Sequence, residues 1–395
     1  MAYRILTLDG GGTWALIQVK ALIELYGAGA RGNKVLRDFD MAAATSGGSI
    51  VLGALLEDLS LAEILEFFED QAKRLSVFSP TSSFGDRILH EFTGLGPKYS
   101  SDNKLAALKN VLPTRGALPL AGITAGLRRP GAQDDLHLLI TGFDYDRNRA
   151  TFFRSSPTTH PGWGRGDEAN VTLAEAIHAS TNAPVNYFDA PAAFPNRAGR
   201  YWDGAISGCN NPVLAAVTEA IVKNRGVPDL AALSIGTGSV ALPWASSADA
   251  SSPYVRQICD SGLVTDLRKL ALSVLDDPPD IATFLAHVMT GGGAGLNTQA
   301  ADSRIVRMSP LVSPVGSAGA WTAPGAMTAE QFSYLAKLDM DAVEQIQVDA
   351  ISRYADLWVQ GVAPNQPVRM DGDTLKKELG QDRFPAAVHA WNAIR

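Results

Sequence analysis

Short apolar runs that end in glycine turns and lead into apolar helical runs set the pattern of this chain. Tyr3–Leu8 (YRILTL) reads as a buried strand. Asp9-Gly10-Gly11-Gly12-Thr13 follows, then Trp14–Tyr26, where only Gln18, Lys20 and Glu24 are polar. That spacing predicts a helix buried on most sides and stopped at Gly27. Met41–Ala44 repeats the order: a strand, the turn Thr45-Ser46-Gly47-Gly48, then the helical run Ile50–Leu56. Ser60 and Glu63 predict a capping box. The helix it opens has Leu61, Ile64, Leu65 and Phe68 on an apolar face, and Glu66, Glu69, Asp70, Lys73 and Arg74 on a solvated one. Ser76 to Ser101 reads as loop, carrying Phe78, Phe84 and Phe92, and could cover a site.

Lys104–Val111 predicts a short helix and residues 112–135 a loop. Leu138–Phe143 and Ala150–Arg154 form an expected hairpin across Asp144–Asn148. Helices are expected at Leu173–Ala179 and Ala215–Lys223, and a strand at Leu230–Ile235 ending in Gly236-Thr237-Gly238. Residues 255–289 predict two or three helices, Arg304–Met308 a late strand and residues 309–328 a long surface excursion. Residues 329–360 read as strongly helical, with Leu335, Leu338, Met340, Val343 and Ile346 at helix spacing, and a short helix closes the chain. Strands separated by helices argue an α/β fold with a mainly parallel sheet. A single domain over residues 1–395 is expected, with a motif-bearing core at about 3–240 and a helical extension, 241–395, packed on it.

Composition narrows the function classes. A chain of 395 residues that is 46% hydrophobic can bury a substantial core. A net charge of −7 argues against a broad basic surface for nucleic acid or bulk attraction to anionic lipid. Cys209 and Cys259 form no CxxC pair and read as reduced thiols, which favours a reducing compartment. The N-terminal run lacks a basic leader and a cleavage site, and no apolar run is long enough to span a bilayer. The expectation is a cytoplasmic protein with peripheral membrane contact at most; export without a cleavable signal stays open. No cofactor and no metal are expected, since no ligand cluster is visible. Nothing here speaks to oligomeric state.

Chemistry concentrates at the turns. In Ala44-Thr45-Ser46-Gly47-Gly48 the order strand, tight turn, helix fits a nucleophile elbow, which lifts one serine hydroxyl clear of a sheet. Small residues are needed two before and two after the serine because strand and helix nearly touch. Alanine is the mildest departure from glycine there. Between a strand and a helix, Asp9-Gly10-Gly11-Gly12 suits anion binding, either as an oxyanion hole or as a phosphate cradle. Asp203-Gly204-Ala205 is a turn signal carrying a carboxylate.

Taken in order, Asp9-Gly10-Gly11-Gly12, Thr45-Ser46-Gly47-Gly48 and Asp203-Gly204-Ala205 resemble the motifs of the patatin-like phospholipase family. Further segments share the likeness: Pro97-Lys98-Tyr99-Ser100, the hairpin at 140–153, Ala179-Ser180-Thr181-Asn182-Ala183-Pro184 and Leu233–Gly238. The resemblance implies a three-layer α/β/α fold and hydrolysis of carboxylic esters in lipids, phospholipase A type. Ser46 would be the nucleophile, Asp203 its base in a dyad without histidine, and the N–H groups of Gly10, Gly11 and Gly12 the oxyanion donors. It also implies a lipid substrate met at a membrane or micelle surface. Two departures stand out. The family continues its glycine loop with x-Arg-Gly where this chain has Thr13-Trp14-Ala15, and Ala44 replaces the first elbow glycine.

Other readings of the same residues remain to be tested. An actin/hexokinase-type sugar kinase would use Asp9–Thr13 and Gly236–Ser239 for phosphate, but a β-hairpin should then follow the first loop. A Ser-His-Asp esterase would need His287 or His389, the histidines after Asp203.

Overall fold

The computed structural model describes residues 2–77, 101–156, 170–184, 188–195, 198–224, 229–246, 252–256, 260–262, 266, 269, 278–293, 303–340, 342–370 and 377–395. Its first strands in chain order are β1 (Tyr3–Leu8), β2 (Met41–Ala44), β3 (His137–Asp144), β4 (Arg149–Arg154) and β5 (Ala192–Ala193). β6 (Arg200–Asp203), β7 (Leu230–Ile235), β8 (Ser239–Val240), β9 (Ile305–Met308) and β10 (Leu311–Val312) follow. The central sheet runs β5-β6-β3-β2-β1-β7-β9, with β4 paired to β3. Pairings β3-β2-β1-β7-β9 are parallel; β4, β5 and β6 join antiparallel. The fold is therefore α/β with a mainly parallel sheet.

The helices are α1 (Leu16–Tyr26), α2 (Gly32–Leu36), α3 (Ser46–Leu56), α4 (Leu61–Glu69), α5 (Gln71–Val77) and α6 (Ser101–Val111). Next come α7 (Leu173–Ser180), α8 (Val213–Lys223), α9 (Pro278–Met289), α10 (Ala329–Leu335), α11 (Gln345–Val359) and α12 (Phe384–Ile394). Strand residues alternate between faces, and each face has its own core. Leu6, Leu8, Ala42, Ala44, Leu138 and Ile140 pack with α1, α3, α4, α7 and α11. Ile5, Met41, Ala43, Leu139 and Ala232 pack with α8 and α9. Burial on both sides explains why these strands read as continuous apolar runs.

Register places the turns. Leu8 pairs with Ala44 on one side and Ile235 on the other, so the turns after β1, β2 and β7 leave the same carboxyl edge. Ligands of parallel α/β sheets bind at that edge. Along β3, Ile140 pairs with Ala44 and Gly142 with Asp203, while β4 occupies the opposite edge at both positions. β6 therefore continues the line of β2, and Asp203 arrives where Thr45-Ser46 departs.

Several expectations change. The Ser60–Glu63 capping box forms, but its helix stops at Asp70, whose extended backbone (φ −80, ψ 119) turns the chain into α5. Arg74 is consequently buried, not solvated, and donates to the carbonyls of Phe68 (2.8 Å) and Val343 (3.0 Å). The helical stretch at 329–360 is two helices separated by residues 336–344. Leu311 and Val312 are buried as β10 beside β8, so part of the 309–328 excursion is core. Phe78, Phe84, Phe92, Pro97–Ser100, Cys259 and most of 257–277 lie outside the described residues. Cys209 is a free thiol. Among the described residues no helix is long and apolar enough to cross a membrane.

Candidate active site

Ser46 occupies the apex between β2 and α3. Thr45 is extended (φ −128, ψ 142) and Ser46 follows at φ 48, a left-handed conformation costing an L-residue about 1–2 kcal/mol. The strain is held by local contacts. The Ser46 N–H donates to Ser180 Oγ at the end of α7 (2.9 Å), and Ser49 Oγ donates to the Ser46 carbonyl (2.6 Å). Thr45 Oγ1 donates to the Cys209 carbonyl (2.6 Å), with Thr141 Oγ1 2.8 Å away.

The glycine loop lies directly against this turn. A Cβ on Gly47 would fall 2.4 Å from the Gly12 carbonyl oxygen, and one on Gly48 2.5 Å from that of Asp9. A Cβ on Gly10 would meet Ser46 Cβ at 3.0 Å. Gly11 and Gly12 have φ of 151 and 56, conformations that favour glycine. Contacts hold both ends of the loop. Gly10 donates its N–H to the Asn210 carbonyl (2.9 Å) and accepts from Thr237 Oγ1 (2.6 Å). The Thr13 N–H donates to the Met340 carbonyl (3.1 Å), and Trp14 Nε1 to that of Asp339 (3.0 Å). Because Asn210 already takes the Gly10 N–H, the cradle of three donors expected from the sequence narrows. Among the described residues the N–H groups of Gly11 and Gly12 have no acceptor.

Asp203 ends β6. Its N–H donates to the Asn182 carbonyl (3.0 Å), and its carboxylate accepts the Ala205 N–H (2.9 Å) as the cap of a short 3₁₀ turn, Gly204–Ser207. The carboxyl is buried, and burial pushes it up to about 6 from an ordinary 3.8. The Ala205 N–H, the Ser46 hydroxyl as hydrogen-bond partner, and the charge of Lys104 each oppose that rise. The Ser46 turn and Asp203, 157 positions apart in the chain, are thus brought to the same end of the sheet, where β2 and β6 lie end to end along β3 beside the glycine loop.

Two neighbours escaped the sequence reading. Lys104, the first residue of a plain-looking helical run, is fully buried on α6. Its Nζ donates to Asn182 Oδ1 (2.7 Å) and lies 3.7 Å from the Phe188 ring centroid. Burial drives the amine well below the usual lysine range, against the pull of Asp203 and Asp189. Arg307, on β9, grips Asp9 through two parallel bonds, Nη1 to Oδ1 (3.0 Å) and Nη2 to Oδ2 (2.6 Å), with both side chains 3% exposed. It also donates to Ser234 Oγ (2.9 Å) and Gln366 Oε1 (3.0 Å). No positional pattern in the sequence marks either residue.

The alternatives find less. The segment after the glycine loop is a 3₁₀ turn (Gly12–Ala15) and α1, not the β-hairpin a sugar kinase would place there. His287 is buried between Ser303 Oγ (3.0 Å from Nδ1) and the Gly293 carbonyl (3.0 Å from Nε2), and His389 is exposed on α12. Among the described residues no group of three or more His, Cys, Asp or Glu could hold a metal ion.

A family model described as patatin-like phospholipase matches residues 6–217, more than half of the chain. Among solved structures, VipD from Legionella pneumophila is similar at 10% identity and a TM-score of 0.34, covering 90% of this chain and 67% of that one. The ExoU effector, in complex with SpcU from the type III secretion system of Pseudomonas aeruginosa, is similar at 15% identity and a TM-score of 0.26. That match covers 45% of this chain and 38% of the other. A second ExoU structure is 12% identical at a TM-score of 0.26, with 90% and 54% covered. The chain thus spans about half or less of the ExoU chains it matches. No curated protein matches it.

Proposed function

This chain belongs to the patatin-like phospholipase family, and from that premise we propose that it hydrolyses carboxylic esters of lipids through Ser46 and Asp203. Asp203 takes the proton of the Ser46 hydroxyl as Oγ bonds to the ester carbonyl carbon. The carbonyl oxygen, now negative, is met by the N–H groups of Gly11 and Gly12. When the tetrahedral centre collapses, the bond to the alcohol breaks and Asp203 returns the proton to the leaving oxygen. Water, deprotonated by the same carboxylate, then releases the fatty acid from Ser46. Gly10 supports the loop in this reading but supplies no donor.

One observation carries the proposal: a buried carboxyl pushed to about 6 at the end of β6, facing the β2 turn that holds Ser46 at φ 48, with two N–H groups of the adjoining loop that have no acceptor among the described residues. A base with that affinity still releases the proton near neutrality. The substrate class rests on the family, and a lipid surface is where such a substrate is met. Replacing Ser46 with alanine should abolish hydrolysis of a p-nitrophenyl acyl ester with the circular dichroism spectrum unchanged. Retained turnover would overturn the reading. Activity should also rise as a phospholipid substrate passes from monomers to micelles, and a rate indifferent to aggregation would remove the interfacial part.

A further inference from the structure

The glycine loop is held largely by residues beyond position 217, where the family match ends. Thr237 bonds Gly10, Met340 and Asp339 take the donors of Thr13 and Trp14, and Arg307 takes both oxygens of Asp9. The Arg307 contact differs in kind from the rest. It is bidentate, charge-assisted and buried, and the planar fork of guanidinium fixes the direction of the carboxylate as well as its distance. Ser234 and Gln366 accept the remaining guanidinium donors, and Gln366 Nε2 donates in turn to Asp280 on α9. Asp9 is also the residue whose carbonyl oxygen a side chain on Gly48 would strike, so its placement sets how closely the loop approaches the elbow. The family's arginine within the loop is absent here, where Trp14 and Ala15 stand. The cation that governs this loop comes instead from a strand 298 positions away.

We infer that Arg307 is a positioning residue for the oxyanion donors: by clamping Asp9 from β9 it holds Gly11 and Gly12 where the tetrahedral oxygen forms, while touching neither Ser46 nor substrate. This rests on the ester-hydrolase reading above. Donors that drift by a fraction of an ångström meet the ground-state carbonyl almost as well but the developing oxyanion worse, so the loss should fall on kcat.

The test uses the full chain. Arg307→Lys keeps a positive charge but cannot grip both oxygens. The double variant Asp9→Asn with Arg307→Gln replaces the ion pair by a neutral amide pair, which protects folding if the single change does not fold. Both should lower kcat on a p-nitrophenyl acyl ester by about 10- to 100-fold, with KM within about threefold, and the pH midpoint near 6 should stay put because Asp203 is untouched. A folded variant with wild-type kcat overturns the inference. So does a loss shared by KM or accompanied by a moved midpoint, which marks general damage to the fold. Ser46→Ala assayed alongside separates the two levels. If its turnover survives, the ester-hydrolase reading fails; if it is dead while Arg307→Lys is fully active, the clamp alone fails.

Discussion

At the scale of single residues, the titration of Asp203 decides most. A base works only after losing its proton, so kcat/KM should rise about tenfold per pH unit below a midpoint near 6 and level off above it. A flat profile between pH 4.5 and 7 would remove Asp203 from the role of base. Lys104→Met, which removes a group that opposes the rise, should move that midpoint up. Stability runs the other way. The folded carboxyl titrates near 6 and the unfolded one near 3.8, so between those values the folded state binds the extra proton. This contribution is fully present below about pH 4 and is lost as pH rises through 6, a difference of about 3 kcal/mol. Asp203→Asn should therefore melt higher than the native protein at pH 7 and nearly level with it at pH 4, while losing activity at both. Such an exchange of stability for function is common at sites that hold a charge out of water.

At the scale of elements, the two small-residue positions of the elbow are not equivalent. Ala44 ends β2 in an ordinary strand position, and its methyl is packed in the core. A Cβ on Gly48 would fall 2.5 Å from the carbonyl oxygens of Leu8 and Asp9, and backbone cannot move aside. Restoring the family pattern with Ala44→Gly should leave activity unchanged and cost about 0.5–1 kcal/mol in a urea melt, through added chain entropy and a lost methyl. Gly48→Ala should cost about 1–3 kcal/mol or more and push the loop off the serine. Equal effects of the two changes would refute this account. The same contrast explains what was legible beforehand. Tyr3–Leu8, Met41–Ala44 and Leu230–Ile235 form with the ends expected, because each is an apolar run that gives way within one or two residues to a turn carrying glycine. The break at 336–344 was hidden because Leu338, Met340 and Val343 keep helical spacing through it. In that break the carbonyls of Met340 and Asp339 accept from Thr13 and Trp14 beside the glycine loop, a tertiary demand that no local period reports. Arg74 was misread for the same reason, since a turn at Asp70 moved it from one face to another.

At the scale of the molecule, the motifs told which turns would gather at one end of the sheet, but not what would hold them there. The approach of Asp203 to the Ser46 turn depends on β2 and β6 lying end to end along β3, and Asp9 at the start of the loop is gripped from β9 by Arg307. Neither follows from residue patterns, because contacts 298 positions apart leave no period in a single chain. The division of labour can be tested by ending the chain at position 240. That fragment would keep every motif and the whole family-matched segment. It would also leave β7, buried along its full length, as an open edge once β9 is gone. An open apolar edge invites pairing between chains. Asp9 would lose its guanidinium partner, and removing one member of a buried ion pair typically costs about 3–5 kcal/mol, a large share of the stability of most domains. The fragment should therefore elute as aggregate in gel filtration and lack a cooperative melt, while the full chain gives both a defined peak and a melt. A monomeric, cooperatively folded and active 1–240 fragment would show that the C-terminal strand and its arginine are accessories, and that the loop can find its place from the motif-bearing segment alone.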